Sequence, residues 1–334
     1  MERLMVQLAA LVALGISASW LAWRLRFPSI LLLLVAGFVI GPVTGLLNPD
    51  ALLGNLLFPV VSLSVAVILF EGGLSLDVAE LREIGGAIRN LATIGVLVTW
   101  VLAALSAHVL LDFGWALSVL LGAILVVTGP TVIVPLLRHV RPTHRVGSAM
   151  KWEGIVNDPL GAILAVLVFE AIIAGGSGQA SIAAIGILRA LLAGGGIGLA
   201  GAALLVLALR RYWIPDFLQN PAALTVALLA FTLANAVQTE SGLLAVTVMG
   251  SALASQTLVS IRDIVEFKEN LRVLLISVLF VVLAARLPLE ALVPSAATLL
   301  FLAGLILVVR PLSVLLATWG TKLSWRERCF LGLM

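Results

Sequence analysis

The stretch KWEGIVNDPLGAILAVLVFE, residues 151–170, has a polar first half and an apolar second half. It carries Glu153, Asn157 and Asp158 at the edge of a run that is apolar enough to enter a membrane. An ionisable side chain at the centre of a lone membrane helix costs ~2.5–3.5 kcal/mol or more, so such residues usually face a partner or a water-filled cavity. The segment therefore predicts a membrane helix that carries a polar site.

The composition of the whole chain agrees with this interpretation. Of the 334 residues, 62% are hydrophobic and 11% are charged, whereas about a quarter of the residues of a soluble domain are charged. The apolar runs are roughly 20 residues long, as α-helices that cross ~30 Å of hydrocarbon require, while membrane β-barrels have alternating segments of ~10 residues. We therefore expect an all-α polytopic membrane protein. The single cysteine, Cys329, excludes a disulfide within the chain.

Apolar runs between charge and turn signals predict about eleven spans. They fall near residues 4–23, 28–46, 54–73, 90–111, 115–137, 146–173, 183–209, 220–238, 241–256, 270–285 and 294–318. The first run lacks a small-residue cleavage site, so we interpret it as a span rather than a signal peptide. Another apolar run begins just before residue 334. We therefore expect residues 1–334 to be a transmembrane domain that is incomplete at its C-terminal end, with its last helices and any cytoplasmic regulatory domain following.

Basic residues alternate along the chain in step with these spans. Connections after even-numbered spans carry almost no Lys or Arg, with Arg286 as the main exception. Connections after odd-numbered spans carry Arg24, Arg26, Arg82, Arg89, Arg138, Arg141, Arg145, Arg210, Arg211, Arg262, Lys268, Lys322, Arg326 and Arg328. The positive-inside rule then places the odd-numbered connections in the cytoplasm and the N-terminus outside, in a cell (inner) membrane. The same rule explains the isoelectric point of 9.6 without a nucleic-acid partner.

The fifth predicted span contains Thr128-Gly129-Pro130-Thr131 well inside its apolar stretch. Glycine and proline together favour unwinding, which is tolerated at membrane depth only where the freed backbone is buried in protein or lines a wet cavity. Broken helices offer bare carbonyls and dipole ends to ions. A break at Gly129 and Pro130 beside Asp158 therefore predicts a cation site, with a simple packing kink as the alternative.

Two other charged residues need partners. Arg310 is embedded in the eleventh span, and Glu153, on roughly the same helix face as Asn157, is its candidate counter-ion. A purely structural role for this pair stays open. Glu71 lies near the cytoplasmic end of the third span, where an interfacial acid is the alternative to an ion-binding one.

Together these segments resemble a known family. TGPTVIVPLL (128–137), EGIVNDPLGA (153–162) and RPLSV (310–314) are similar, in this order, to motifs of the cation/proton antiporters of the NhaP and sodium/hydrogen-exchanger type. ILFEGGLSL (68–76) resembles the corresponding third-helix motif. The similarity covers essentially the whole chain.

The resemblance implies a fold of thirteen helices in two inverted six-helix repeats, with a discontinuous fifth helix and commonly a homodimer. By that pattern Asp158 binds the cation and the proton. Asn157 is its companion in the Asn-Asp pair associated with electroneutral exchange, and Thr128 contributes to the Na⁺ or K⁺ site with Asp158.

By the same resemblance Glu153 and Arg310 match a buried ion pair, and Glu71 matches an acid near the ion pathway. The chain departs from the pattern at Gly129, where many relatives have Asp, and at Gly154, where some have a serine ligand. Both departures leave the choice between Na⁺ and K⁺ open.

The expected function is electroneutral exchange of Na⁺ or K⁺ for H⁺ by alternating access, because Asp158 holds either a cation or a proton. The expected partners are these ions and the lipid bilayer, without a cofactor. The alternative is a proton-regulated K⁺ efflux system or channel on a related scaffold. An intramembrane enzyme is not expected, since Asp158 is the only central aspartate and no His lies deep enough to activate a serine.

Overall fold

The computed structural model describes residues 2–76, 78–129, 133, 137, 140, 142–174, 179–288 and 294–333. All regular structure in this part of the chain is helical. In chain order the α-helices are α1 (Glu2–Leu25), α2 (Ser29–Phe38), α3 (Pro49–Leu53), α4 (Leu57–Leu74), α5 (Leu81–Asn90), α6 (Val96–Leu111), α7 (Trp115–Leu125), α8 (His144–Ala174), α9 (Gln179–Arg210), α10 (Gln219–Val237), α11 (Ser241–Ser255), α12 (Arg262–Ala285), α13 (Ala296–Gly304), α14 (Arg310–Ala317) and α15 (Trp325–Leu333).

Many of these helices are long and apolar enough to cross a membrane. The seven long ones are Met5–Leu25, Pro49–Leu74, Leu81–Leu111, His144–Ile173, Ile185–Arg210, Asp216–Val237 and Ala296–Ala317. Four shorter apolar helices are Ser29–Val43, Trp115–Leu125, Ser241–Ser255 and Asn270–Ala285. The predicted all-α polytopic architecture is therefore confirmed, while the number of crossings stays a prediction. A helix suits the lipid bilayer because its backbone N–H and C=O groups form hydrogen bonds with each other within the segment.

Three of the spans contain a π-helical turn, at Val39–Val43, Leu91–Gly95 and Leu305–Val309. Such a turn inserts one extra residue and so rotates the side chains that follow it relative to those before it. The turn at Leu305–Val309 ends directly before Arg310. The direction of Arg310 therefore depends on this irregularity, which hydropathy does not reveal.

The helices pack in two groups. The first group comprises α1, α2, α4 and α9–α12. One of its buried clusters includes Leu33 and Val281, and another includes Leu69 and Met249. The second group comprises α5–α8 and α13–α15, with Leu91 at the centre of its buried cluster. Helix α8 also contacts α4, α9 and α11, so it lies at the boundary between the groups.

Candidate functional site

The fifth predicted span is interrupted at the expected place. Helix α7 ends at Leu125, and Val127, Thr128 and Gly129 have no regular structure. The backbone N–H of Ile133, the next described residue, donates to the Gly129 carbonyl at 3.4 Å. Predicted residues Pro130 and Thr131 lie outside the described residues. The chain thus offers non-helical backbone inside an apolar span, which membrane proteins tolerate only beside protein or a wet cavity.

A cavity of about 190 Å³ adjoins this interruption. Its polar lining comes from Thr128 at the break, from Glu153 and Asn157 on α8, from Arg310 at the start of α14 and from Thr99 on α6. Apolar residues of the π-helical turn at Leu305–Val309, of α7 and of α15 complete much of the wall. Four separate segments therefore present polar groups to one small space.

Arg310 and Glu153 form a bidentate ion pair in this cavity. Arg310 Nη1 donates to Glu153 Oε1 at 2.5 Å, and Nη2 donates to Oε2 at 2.9 Å. The Glu153 side chain is 2% exposed and that of Arg310 22%. Both charges are withdrawn from water, so each depends on the other for compensation.

Two buried oxygen atoms beside this pair have no hydrogen-bond partner among the described residues, Oδ1 of Asn157 and Oγ1 of Thr128. Both residues line the cavity. Buried polar atoms are nearly always satisfied, so such exceptions call for a water or an ion. Oxygen donors are the ligands that suit a hard cation. The cavity can therefore offer neutral oxygens to a small cation.

Asp158 is not among the residues that line this cavity. A helix turns by 100° per residue, which places Asp158 within about 60° of Ile155 and Ala162 on the helical wheel. A Cβ atom built on Gly72 of α4 would lie 3.5 Å from Cγ1 of Ile155. Ala162 packs against the cluster formed by α4 and α9–α12. The half-buried Asp158 therefore lies on the side of α8 that is turned toward the first helix group.

Glu71 of α4 is buried and paired elsewhere. Arg272 of α12 lies 3.0 Å from it, measured from Nη1 to Oε2. The ion pair joins two helices of the first group and does not line the cavity. An ion-binding role for Glu71 stays a prediction. Arg272 was missed at the sequence level, although a cation at the second position of the apolar run LRVLLISVLF was a signal for it.

The beginning of α8 is attached to the connection between α4 and α5. Lys151 Nζ donates to the carbonyl oxygen of Ser75, where α4 ends. Glu80 accepts hydrogen bonds from Ser148 Oγ at 2.7 Å and from Trp152 Nε1 at 2.9 Å. A cation at a helix C-terminus is favourable because the last carbonyls carry partial negative charge. These contacts hold the polar end of α8, and sequence reasoning missed them.

A hydroxyl chain holds α14 against α6. Thr99 Oγ1 donates to Ser313 Oγ at 2.8 Å, and Ser313 Oγ donates to the Gly95 carbonyl at 2.9 Å. Ser313 lies three residues after Arg310, one turn along the same helix. The chain therefore helps to fix the position of Arg310 relative to the cavity. Among the described residues, no group of three or more His, Cys, Asp or Glu side chains could hold a metal ion.

Comparison with known proteins gives a consistent result. The family model for the transmembrane sodium/hydrogen exchanger matches residues 9–334. The K⁺/H⁺ antiporter NhaP of Alkalimonas amylolytica is 28% identical over 97% of this chain and 57% of its own length, and Na⁺/H⁺ antiporter 1 of Methanocaldococcus jannaschii is 28% identical over 96% and 78%. The solved structure of the sodium proton antiporter MjNhaP1 from M. jannaschii at pH 8 superposes with a TM-score of 0.81 at 25% identity, over 99% of this chain and 82% of that one.

These similarities confirm the resemblance inferred from the sequence motifs. They also confirm an antiporter-type helical fold. The chain spans 57% of the length of the curated K⁺/H⁺ antiporter that it matches.

Proposed function

Because the chain belongs to the transmembrane sodium/hydrogen exchanger family, a family of secondary transporters rather than enzymes, we propose that it exchanges Na⁺ or K⁺ for H⁺ across a membrane. The proposal is supported by relatives whose names include both K⁺/H⁺ and Na⁺/H⁺ antiporters. The observation that carries it is helix α8, which lies at the boundary of two helix groups, bears the Asp158 carboxylate on one side and lines a cavity with two unpaired oxygens on another.

In this mechanism Asp158 binds either a cation or a proton. A cation that loses water needs several oxygen ligands, and Asp158, the Thr128 hydroxyl and the Asn157 amide oxygen are the proposed protein ligands, with water completing the shell. Because Asp158 does not line the cavity of Thr128 and Asn157 in this structure, the proposal requires another state of the transport cycle to bring the three to one ion. Since each trip carries one cation or one proton on the same carboxylate, the charge moved is equal in the two directions. The exchange is then electroneutral.

Alternating access is proposed to arise from movement of the second helix group against the first. Helix α8 belongs to the second group and directs Asp158 toward the first, so sliding at this boundary would open the carboxylate to one side and then the other. The Glu153–Arg310 pair is proposed to keep the second group rigid during this movement rather than to bind the transported ion. Glu71, paired with Arg272, is proposed to act near the pathway through the packing of α4 against α12.

The remaining assignments are also proposals. We propose that residues 1–334 belong to a membrane domain of an inner-membrane protein, with the N-terminus outside and the basic connections cytoplasmic. A homodimer is proposed by analogy with the family. No cofactor is required for this mechanism, because the transported ions are the substrates.

The proposal is tested by cation-driven proton flux in proteoliposomes that contain the full-length protein. Asp158→Asn keeps the size of the side chain but removes its titration, so exchange should fall to the level of empty liposomes. The matched control is Asp112→Asn, at an exposed residue that ends α6 and should leave exchange unchanged. Normal exchange in Asp158→Asn would refute the assignment, and cation flux without proton flux would favour a channel.

A further inference from the structure

A second cavity, of about 360 Å³, shares no lining residue with the first. It is bounded by α5, which leads into α6, by the beginning of α8, and by the connection 320–323 between α14 and α15. Gly86 leaves it open, since a Cβ atom built there would have no neighbour within 4 Å. All three segments belong to the second helix group.

The lining of this cavity is strongly basic. Arg82, Arg89, Arg145 and Lys322 surround it, while Glu83 is its one acidic lining residue. Glu83 already accepts a hydrogen bond from Arg145. Arg82, Arg89 and Lys322 form no ion pair with any residue that the structure describes. Three positive charges therefore line the cavity without an ion pair among the described residues, which makes it a favourable place for an anion.

The wall of the cavity is preformed. Arg328 donates to the carbonyls of Thr321 and Leu323, each at 3.0 Å, and so holds the connection that carries Lys322. Gly320 begins this connection with φ of 76°, a left-handed conformation that glycine adopts readily. On the opposite wall, α5 buries Ile84 and Ile88 and exposes Arg82 and Arg89. The cations are thus displayed by fixed backbone.

Two exposed tryptophans flank the same connection. Trp319 is 77% exposed and Trp325 66% exposed. Exposed Trp side chains beside apolar helices are typical of the headgroup level of a bilayer, where the ring is partly apolar and its N–H is polar. The basic cavity therefore opens at the depth where lipid phosphates lie.

We propose that this cavity binds a phosphate group, carried by the headgroup of an anionic phospholipid. Guanidinium groups suit phosphate oxygens because their N–H donors match them in pairs, and an ammonium adds a point charge. A phosphate bound here contacts α5 and the 320–323 connection together, and so ties the fourth span to the end of the eleventh. Binding at this site does not require the chain to transport any ion.

Native mass spectrometry of the full-length protein in mild detergent tests this proposal. Short-chain phosphatidylglycerol is the probe, with phosphatidylcholine of equal chain length for comparison. The variant Arg82→Gln/Arg89→Gln/Lys322→Gln should weaken phosphatidylglycerol binding about 100-fold, at roughly fivefold for each basic side chain. The matched control removes three exposed cations elsewhere, Arg24→Gln/Arg210→Gln/Arg211→Gln, and should bind as the wild type does.

The outcomes separate the sources of the anion. Binding that prefers phosphatidylglycerol, needs the cavity residues and resists millimolar inorganic phosphate supports the lipid site. Displacement by inorganic phosphate alone would overturn the lipid source and leave a phosphate site filled from solution. Equal binding in the cavity variant and the wild type, or equal loss in the control, would overturn the site itself. If the triple variant aggregates, the single variant Lys322→Gln is measured instead. This residue lies in an exposed connection, and its binding distinguishes the same outcomes.

Discussion

Removal of one partner of the Glu153–Arg310 pair should destabilise the protein far more than removal of both. Either Glu153→Leu or Arg310→Leu leaves a buried charge without compensation, which costs about 3–5 kcal/mol. The double variant leaves no unpaired charge, so its cost should be about 0–2 kcal/mol, set by packing alone. The magnitude follows from the 2% exposure of Glu153 and the two hydrogen bonds at 2.5 and 2.9 Å.

The assay is thermal unfolding of the purified full-length protein in detergent, with all variants in the same buffer. For a chain of this size, each single variant should lose roughly 6–10 °C in melting temperature, at about 2 °C for each kcal/mol. The control is the Asp50–Arg286 pair, which is 3.0 Å apart but has side chains 58% and 33% exposed. Asp50→Asn and Arg286→Gln should each cost about 0–1 kcal/mol, because exposed pairs are weak.

The double-variant cycle measures the coupling free energy between the two positions of each pair. A coupling of about 3 kcal/mol or more between positions 153 and 310, and little between 50 and 286, is the expected result. Single variants at 153 and 310 that cost no more than those of the exposed pair would refute the reasoning. A double variant as unstable as the sum of its two singles would refute it equally.

Three further predictions concern other parts of the fold. Gly194→Ala should lower the melting temperature and Gly196→Ala should not, since a Cβ atom at 194 would lie 2.8 Å from the Ser241 carbonyl oxygen while one at 196 would meet nothing within 4 Å. Arg272→Met should destabilise the protein by about 3 kcal/mol because it leaves the buried Glu71 carboxylate without this partner, and Arg272→Lys should recover part of the loss in the same melting assay. Burial raises the pKa of Glu240, so the stability that the protonated form contributes is lost as the pH rises through that raised pKa. Glu240→Gln should therefore raise the melting temperature at about pH 8 and leave it unchanged at about pH 4; equal melting curves at about pH 8 would contradict this.

Hydropathy and local chemistry predicted the membrane architecture and the interruption of the fifth span. Both depend on neighbouring residues: an apolar run must satisfy its backbone as a helix, and Gly129 beside Pro130 weakens that helix locally. The choice of Glu153 as a partner for Arg310 came from the cost of an unpaired charge in the membrane. The two side chains lie within hydrogen-bonding distance, and their structural role stays a prediction.

Other features depend on how distant segments pack, and sequence could not supply them. The π-helical turn before Arg310 is invisible to hydropathy because all its residues are apolar. The contact of Lys151 with the Ser75 carbonyl needs the register between α4 and α8. The shared ion site of Thr128 and Asp158 stays a prediction, and the cavity at Thr128 is lined by Asn157 and not by Asp158. Helix geometry alone separates Asp158 from Asn157 by about 100°, but only the packing of α8 between two helix groups shows which helices each side faces.

The most direct test of the central claim is the coupling of the two ions in one experiment. Proteoliposomes with the full-length protein would receive Na⁺ or K⁺ while internal pH and cation uptake are recorded together, with the membrane potential first clamped and then varied. The account predicts one proton released for each cation taken up, at a rate that ignores the potential and vanishes in Asp158→Asn. Cation uptake that follows the potential and proceeds without proton release would contradict it.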